Sequence, residues 1–550
     1  MKRFLIGLIG LCYAGVSWAG PLPDNMYFRA MHDEMQRSLA NLHLKDHPRP
    51  YYMYYLVREV HSVVVRANMG TLAPALYDEN ELGSLSAEVF VSVGSDKQDG
   101  LGFSDVQRNS WEYLSTQIPY GFPSPGYDGL RQTLWQLTDK AYLQAADLYK
   151  KKKVYKQKKN IHDTLPDVVP EKPGYFVEPI APFAWPDIAQ LQKQVREISA
   201  LGKTQPFVES FDVELEVRQQ DFYYLNSRGA VAQYTKPHAR AEVSVVFRQP
   251  DGKTATSSTV IWLKDVSADQ LAYARDKAQD FLNRVRQAYG APSATAYIGP
   301  VLLKPQAAAR MVKQAVLNDL ENSKPWLLSY ADDDDEAGKL YKKQHVRVST
   351  DLLTLYDRPL ARQFEGVTLL KFAPLDKEGV AAQELTLIQN GRVRDFPLTQ
   401  RPLSKNHHSN GHAFVESVHG PREGLTNVFV EPKEPLSDQQ MEEKLLARCR
   451  ELGLEYGYIL HTADPSGDLG VERIYTADGR KETVLNLKWD GNFFTQRDLR
   501  GVLAVGGERQ LSYNWRGPVI VTPSVLMEEV ELVPQEHKAH RQPFIPKPKI

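Results

Sequence analysis

The stretch YIGPVLLKPQAAARMVKQAVLNDLEN, Tyr297 to Asn322, reads as a strand, a tight break and an amphipathic helix. Pro305 suits a first helical turn, where the N–H it lacks would have no intrahelical partner. Met311, Val312, Ala315, Val316 and Leu320 recur at helical spacing and make one apolar face. Lys313, Gln314 and Asn318 stand where a metal-binding helix would carry its ligands. The helix therefore either does chemistry or has kept its packing face and lost the residues for it.

Outward from this segment, the chain beyond Ala291 is mostly short strands with a few helices. One helix is SDQQMEEKLLARCRELG. Ser437 and Gln440 have capping-box spacing, Met441, Leu445, Cys449 and Leu452 form a stripe, and Gly453 ends it. Upstream, MYFRAMHDEMQRSLANLHL predicts a helix. YYMYYLVREVHSVVVRANMG and SAEVFVSVGS predict strands from their β-branched and aromatic content. GLRQTLWQLTDKAYLQAADLYKKKKVYKQKKN predicts a long helix whose closing lysines read as a solvated end, favoured by the helix dipole. A proline-dense stretch near 163–186 marks a connection. A helix from Ile188 to Ala200 follows, then apolar–polar alternation with turn signals at Ser227-Arg228-Gly229 and Pro250-Asp251-Gly252. These predict antiparallel strands, closed by a helix from Ala268 to Tyr289. The expected class is α+β: a mixed α/β region over 20–290 and a β-rich domain over 291–550.

A chain of 550 residues exceeds one compact core, which implies two or more domains. Its 42% hydrophobic and 25% charged content is that of a soluble protein, and a net charge of -1 argues against broad attraction to nucleic acid. Lys2 and Arg3 precede an apolar run, Phe4 to Val16, too short to span a bilayer. Ser17-Trp18-Ala19 then offers small residues at the positions a signal peptidase reads, so a signal peptide over 1–19 and export to the periplasm or exterior are expected. No other segment is long and apolar enough to span. Cleavage would remove Cys12 and leave Cys449 alone, which excludes an intramolecular disulfide and points to a core thiol. ADDDDEAG, Ala331 to Gly338, lacks the spaced oxygens of a calcium loop and reads as solvated, and the tail HRQPFIPKPKI as irregular. There is no Walker-type glycine loop and no Gly-x-Ser-x-Gly elbow.

Several phrases, in order, resemble the TldD/PmbA family, a group built around a zinc peptidase and often labelled modulators of DNA gyrase. They are LNSRGAVAQY, the opening YIGPVLLKPQAAARMV, LLTLYDRPLARQFEG with LDKEGVAAQELTLIQNGRVRDFPLTQRP, SNGHA (Ser409 to Ala413), and VTPSVLMEEVEL. The resemblance covers roughly residues 200 to 535 well and the first third loosely. It implies an N-terminal α/β region before a β-rich domain that holds the active site. Active members carry His-Glu-x-x-x-His on the helix and a cysteine near the C-terminus as third zinc ligand, and work with a homologue that lacks the motif.

On that alignment Lys313 stands at the first histidine, Gln314 at the glutamate and Asn318 at the second histidine, and DLRGVLAVGGERQLSYNW has no cysteine. Zinc peptidases need imidazole or thiolate ligands and a carboxylate base. A protonated lysine only donates and repels a cation, glutamine is no base, and an asparagine amide oxygen is a poor zinc ligand. The resemblance with these departures implies a non-catalytic subunit of a zinc peptidase assembly, without zinc of its own. It would act on peptides or unfolded proteins beside a TldD-like homologue or a second copy. Two other readings stay open. NHHSNGHAFVESVHG offers His407, His408, His412 and His419 as non-standard zinc ligands, with Glu416 as base, for an active metallopeptidase. The chain is otherwise a periplasmic peptide-binding or scaffold protein with no peptidase partner. Asn410, Gly411 and His412 are the expected lining of a peptide cleft, where amide and backbone groups would bond an extended chain.

Overall fold

The computed structural model describes residues 17–73, 84–104, 117–123, 126–321, 327–328, 340, 346–415, 420–462, 469–489, 494–513 and 517–534. Most of the expected signal peptide, the acidic loop, Glu416, His419 and the C-terminal tail lie outside the described residues. The architecture is α+β, with two large sheets.

The first sheet is built on three very long strands, Pro50–Asn68, Val208–Asn226 and Val231–Arg248, paired antiparallel in that order. Ser84–Val93 and Gln117–Pro123 extend one side, and Tyr175–Val177 and Thr254–Leu263 the other. Their turns use Gly229 and Gly252 at φ +99 and +84, where a side chain would be strained. Because side chains alternate along a strand, each face has its own partner. Met53, Tyr55 and Val57 meet helices Met26–Asn41 and Gly126–Lys159 through Phe28, Met31, Leu130 and Leu134. Further along the same face, Val63, Val65 and Ala67 meet Ile188–Ser199 and Ala268–Ala288 through Leu191, Val195, Phe281 and Leu282. The even-numbered Tyr52, Tyr54 and Leu56 turn the other way, onto Phe372 and Leu375 of the second half.

The lysine-rich end of Gly126–Lys159 is a correction to the sequence reading. Lys152 and Lys156 are buried, not solvated. They point inward one turn apart and pair with Asp167 and Asp163, each at 2.8 Å, from the chain just beyond the helix. Lys152 also donates to the carbonyl oxygen of Leu101 at 2.6 Å.

In the second sheet, Tyr297–Leu303 lies between Val519–Pro534, antiparallel, and Tyr456–Leu460, parallel. Its apolar run is explained by cover on both faces. Val301 and Leu303 enter the core that holds the helix beginning at Pro305, while Leu302 meets Met441, Leu445 and Cys449 of Asp438–Glu451. That second helix has its capping box, with Gln440 N donating to Ser437 Oγ at 3.2 Å and Ser437 N to Gln440 Oε1 at 2.9 Å. Cys449 is fully buried, and burial pushes its thiol up. No helix among the described residues is long and apolar enough to cross a membrane.

The two sheets are joined where the resemblance-bearing phrases meet. Asn226 Oδ1 accepts from the backbone N–H groups of Arg228 and Ala230, closing its own turn, and Nδ2 donates to the carbonyl oxygen of Glu378 at 3.0 Å. Gly379, at φ +80, leaves room for this, since a Cβ there would run into Asn226 and Ala230. Asp376 accepts from the N–H groups of Glu378, Val380 and Ala413, and Lys377 N donates to the carbonyl oxygen of Ala413 at 3.1 Å. The turns at 226–229, 376–379 and 409–413 thus form one hydrogen-bonded block.

This block has a pH signature. Burial pushes the Asp376 carboxyl up to about 6 against its three N–H donors, and raises the neighbouring Glu378 well above the usual range. A carboxyl raised in the folded state holds its proton more tightly there than in the unfolded chain. Its contribution is therefore complete near pH 4 and is lost as pH rises through about 6. Urea midpoints are expected to show this loss between pH 4 and pH 7, on the order of 1–3 kcal/mol. The slope should flatten in Asp376→Asn; an unchanged slope would count against the assignment.

Candidate functional site

A cavity of about 1760 Å³ lies between the sheets. One wall is the even-numbered face of the first sheet, with Arg58, Phe222, Tyr234, Lys236, His238 and Arg240. The other is made by the second half, including Lys304, Asn318, Glu321, Lys371, Glu423 and Gly517. Four consecutive residues, Ser257 to Val260, also line it. Alternating side chains cannot all face one way, so the strand Thr254–Leu263 presents its edge there. Among the described residues that strand pairs with Val231–Arg248 alone.

Much of the charge on the walls is paired. Arg240 Nε lies 2.6 Å from Glu216 Oε2, Arg218 is 2.7 Å from the same carboxylate, and Lys304 is 2.8 Å from Asp438. Burial pushes the His238 imidazole down to about 4 and the Glu321 carboxyl up to about 7. Glu321 accepts from Leu425 N at 3.0 Å.

The helix of the opening segment borders this cavity. It is α-helical over Pro305–Val312, makes a π-turn over Lys313–Leu317 and resumes over Asn318–Leu320. Asn318 N donates to the carbonyl oxygen of Lys313, an i to i+5 bond. Residues five apart on a regular α-helix point about 140° away from each other at 3.6 residues per turn. A π-turn instead stacks them on one side. Lys313 and Asn318 are five apart, so the turn that a His-Glu-x-x-x-His spacing requires is present here with other side chains on it. Asn318 lines the cavity. The Lys313 ammonium reaches the same wall, where a Cβ at Gly517 would sit 2.7 Å from its Nζ. Burial pushes Lys313 down and the charge of Glu321 holds it up. An ammonium at the first position, an amide at the second and an amide at the third do not fit a zinc ion, and no base stands at the glutamate position.

The structure places the residues at 407–412 away from the cavity lining. Asn410 is spent on its own loop: Oδ1 accepts from Leu398 N at 2.8 Å and Nδ2 donates to the carbonyl oxygen of Phe396 at 2.8 Å. Gly411 packs against Ala381 and Ala382 at φ +73. His412 has no exposed side-chain surface. Its Nε2 lies 3.3 Å from Asp357 Oδ2 and its Nδ1 3.0 Å from the carbonyl oxygen of Asn410. None of the three lines the cavity. Among the described residues His407, His408 and His412 do not converge on one point either. His407 Nε2 lies 2.6 Å from the carbonyl oxygen of Thr399, and the exposed His408 pairs with Glu171.

Among the described residues one trio of ligand-type side chains does converge: Glu59, His61 and Asp221. The register Glu59↔Asp221 creates it, so no local sequence signal shows it. It lies on the helix-bearing face, away from the cavity. His61 stacks on Phe183 and Asp221 accepts from Gln219, so these groups have partners without an ion. Sequence reading also missed the cavity wall at Lys236, His238 and Arg240. The available signal was a run of cationic side chains on alternate positions of a strand that both neighbours cover.

Residues 296–533 match the family model described as PmbA/TldA metallopeptidase C-terminal domain. A search of curated protein sequences gives no match. Solved structures with the same fold include TldE from Thermococcus kodakarensis, with a TM-score of 0.58 and 15% identity over 92% of this chain and 100% of that one. A protein described as a modulator of DNA gyrase from Thermotoga maritima has a TM-score of 0.55 and 14% identity, covering 88% and 96%. One so described from Bacteroides thetaiotaomicron has 0.54 and 14%, covering 92% and 98%. Residues 296–533 are therefore a C-terminal domain of the PmbA/TldA metallopeptidase type, and the chain shares the fold of these structures along nearly its whole length.

Proposed function

We propose that this is an exported, non-catalytic TldD/PmbA-type subunit. It holds an extended peptide or unfolded segment in the chamber between its sheets, beside a homologous partner that supplies the zinc. The observation that carries the reading is the π-turn, which keeps the geometry of a zinc helix and bears Lys313, Gln314 and Asn318. The chamber supports the peptide part: its volume suits a chain segment, and Thr254–Leu263 has an edge that no described strand pairs with, suited to strand addition. The likeness to TldE supports the partner part.

The test is metal content by mass spectrometry on residues 20–550, purified without chelator, followed by a pull-down from the native periplasm. The expected result is a folded protein with substoichiometric zinc that captures a homologue carrying an intact His-Glu-x-x-x-His. Stoichiometric zinc in the isolated chain would end the non-catalytic reading. A zinc-free chain that captures no homologue would end the partner reading.

A further inference from the structure

We propose that the chamber wall at Arg58, Lys236 and Lys371 is a subsite for a carboxylate of the bound peptide. The inference rests on the peptide-holding reading and adds what part of the peptide is recognised. Lys236 projects from Val231–Arg248 into the chamber and is 8% exposed. Its ammonium donates to the carbonyl oxygen of Leu370 at 3.1 Å and lies 4.6 Å from the ring centre of Phe222 and 5.5 Å from that of Tyr234. No carboxylate among the described residues pairs with it. Lys371, next along the chain from Leu370, lines the same wall and also forms no ion pair with a described residue.

The neighbouring cations do have a counter-ion, but they share it. Arg58 and Lys377 both bind Glu88, at 2.8 and 2.7 Å. Lys236 and Lys371 thus share a wall with Arg58 and Lys377 but form no ion pair with a described carboxylate. Glu321, the carboxylate whose charge acts most on Lys371, is itself pushed up by burial to about 7. Burial pushes Lys236 down to about 7, helped by the charges of Lys371 and Arg58, and lowers Lys371 against the charge of Glu321. Lys236 is buried beside the rings of Phe222 and Tyr234, and at a buried ammonium an entering anion gains more than it would in water. A carboxylate supplies that charge and accepts from several donors at once. A peptide has two sources of it, its C-terminus and its acidic side chains.

The experiment is equilibrium dialysis of the full mature chain against three pools of N-acetylated pentapeptides. The first lacks Asp and Glu and ends in a free carboxylate. The second is its C-terminal amide, and the third is the amide with one central Glu. The free-acid pool is expected to bind about tenfold or more tightly than the plain amide. The Glu-bearing amide reports whether a side chain serves as well. Lys236→Met and Lys371→Met remove cations that hold no ion pair, so both are expected to fold, checked by circular dichroism. Each should erase the free-acid preference, so that the free-acid and amide pools bind alike. Equal binding of all pools, or a preference that survives both substitutions, would overturn the subsite and leave peptide holding intact. No binding of any pool would overturn both.

Discussion

Lys313→His, Gln314→Glu and Asn318→His, introduced together, are expected to raise this chain's affinity for zinc. The π-turn bond from Asn318 N to Lys313 O already stacks the two positions on the cavity side of the helix. Two imidazoles placed there would chelate one ion, with affinity gained on the order of a hundredfold over the parent. The substitution is gentle on the fold, because the helix is held by its opposite face, Met311, Val312, Ala315, Val316 and Leu320, all fully or nearly fully buried. Titration calorimetry with zinc gives the affinity. Lys313→His alone should gain little, since one imidazole cannot chelate. The triple variant should stay inactive as a peptidase, because no cysteine or other third ligand is restored with it. A folded triple variant without zinc affinity would show that the turn does not preserve ligand geometry.

His412→Ala is expected to cost about 3–5 kcal/mol of folding stability, read from urea unfolding. The imidazole and Asp357 are both wholly buried and 3.3 Å apart. Removing the ring leaves Asp357 with Thr426 as its main hydrogen-bond partner and opens a void beside Phe414. A surface or cleft histidine would lose less than about 0.5 kcal/mol, so the size of the effect decides between the two placements. Peptide binding by the surviving folded fraction should be unaffected.

Elements whose causes are local were legible. The helix at Asp438–Glu451 announced itself by a capping box and a closing glycine, both present, and by a stripe of which Met441, Leu445 and Cys449 are buried while Leu452 is exposed. Tyr297–Leu303 and the helix after Pro305 were equally clear. What escaped reading depends on partners far along the chain. Lys152 and Lys156 look solvated until the returning loop brings Asp163 and Asp167. His412 looks like a loop ligand until Asp357 is placed beside it. The π-turn has no side-chain period of its own to read. The chamber is written in two sheets, and its cationic wall only becomes a wall once they face each other.

The hydrogen-bonded block of Asn226, Asp376, Glu378 and Ala413 bears on how such proteins inherit their labels. The most recognisable words of the lineage sit in a weld, not in a reaction centre. Without the weld the chamber has no second wall, whatever side chains the helix after Pro305 carries. Kinship read from those words therefore tells which chains can enclose something, and is silent on which of them can cut.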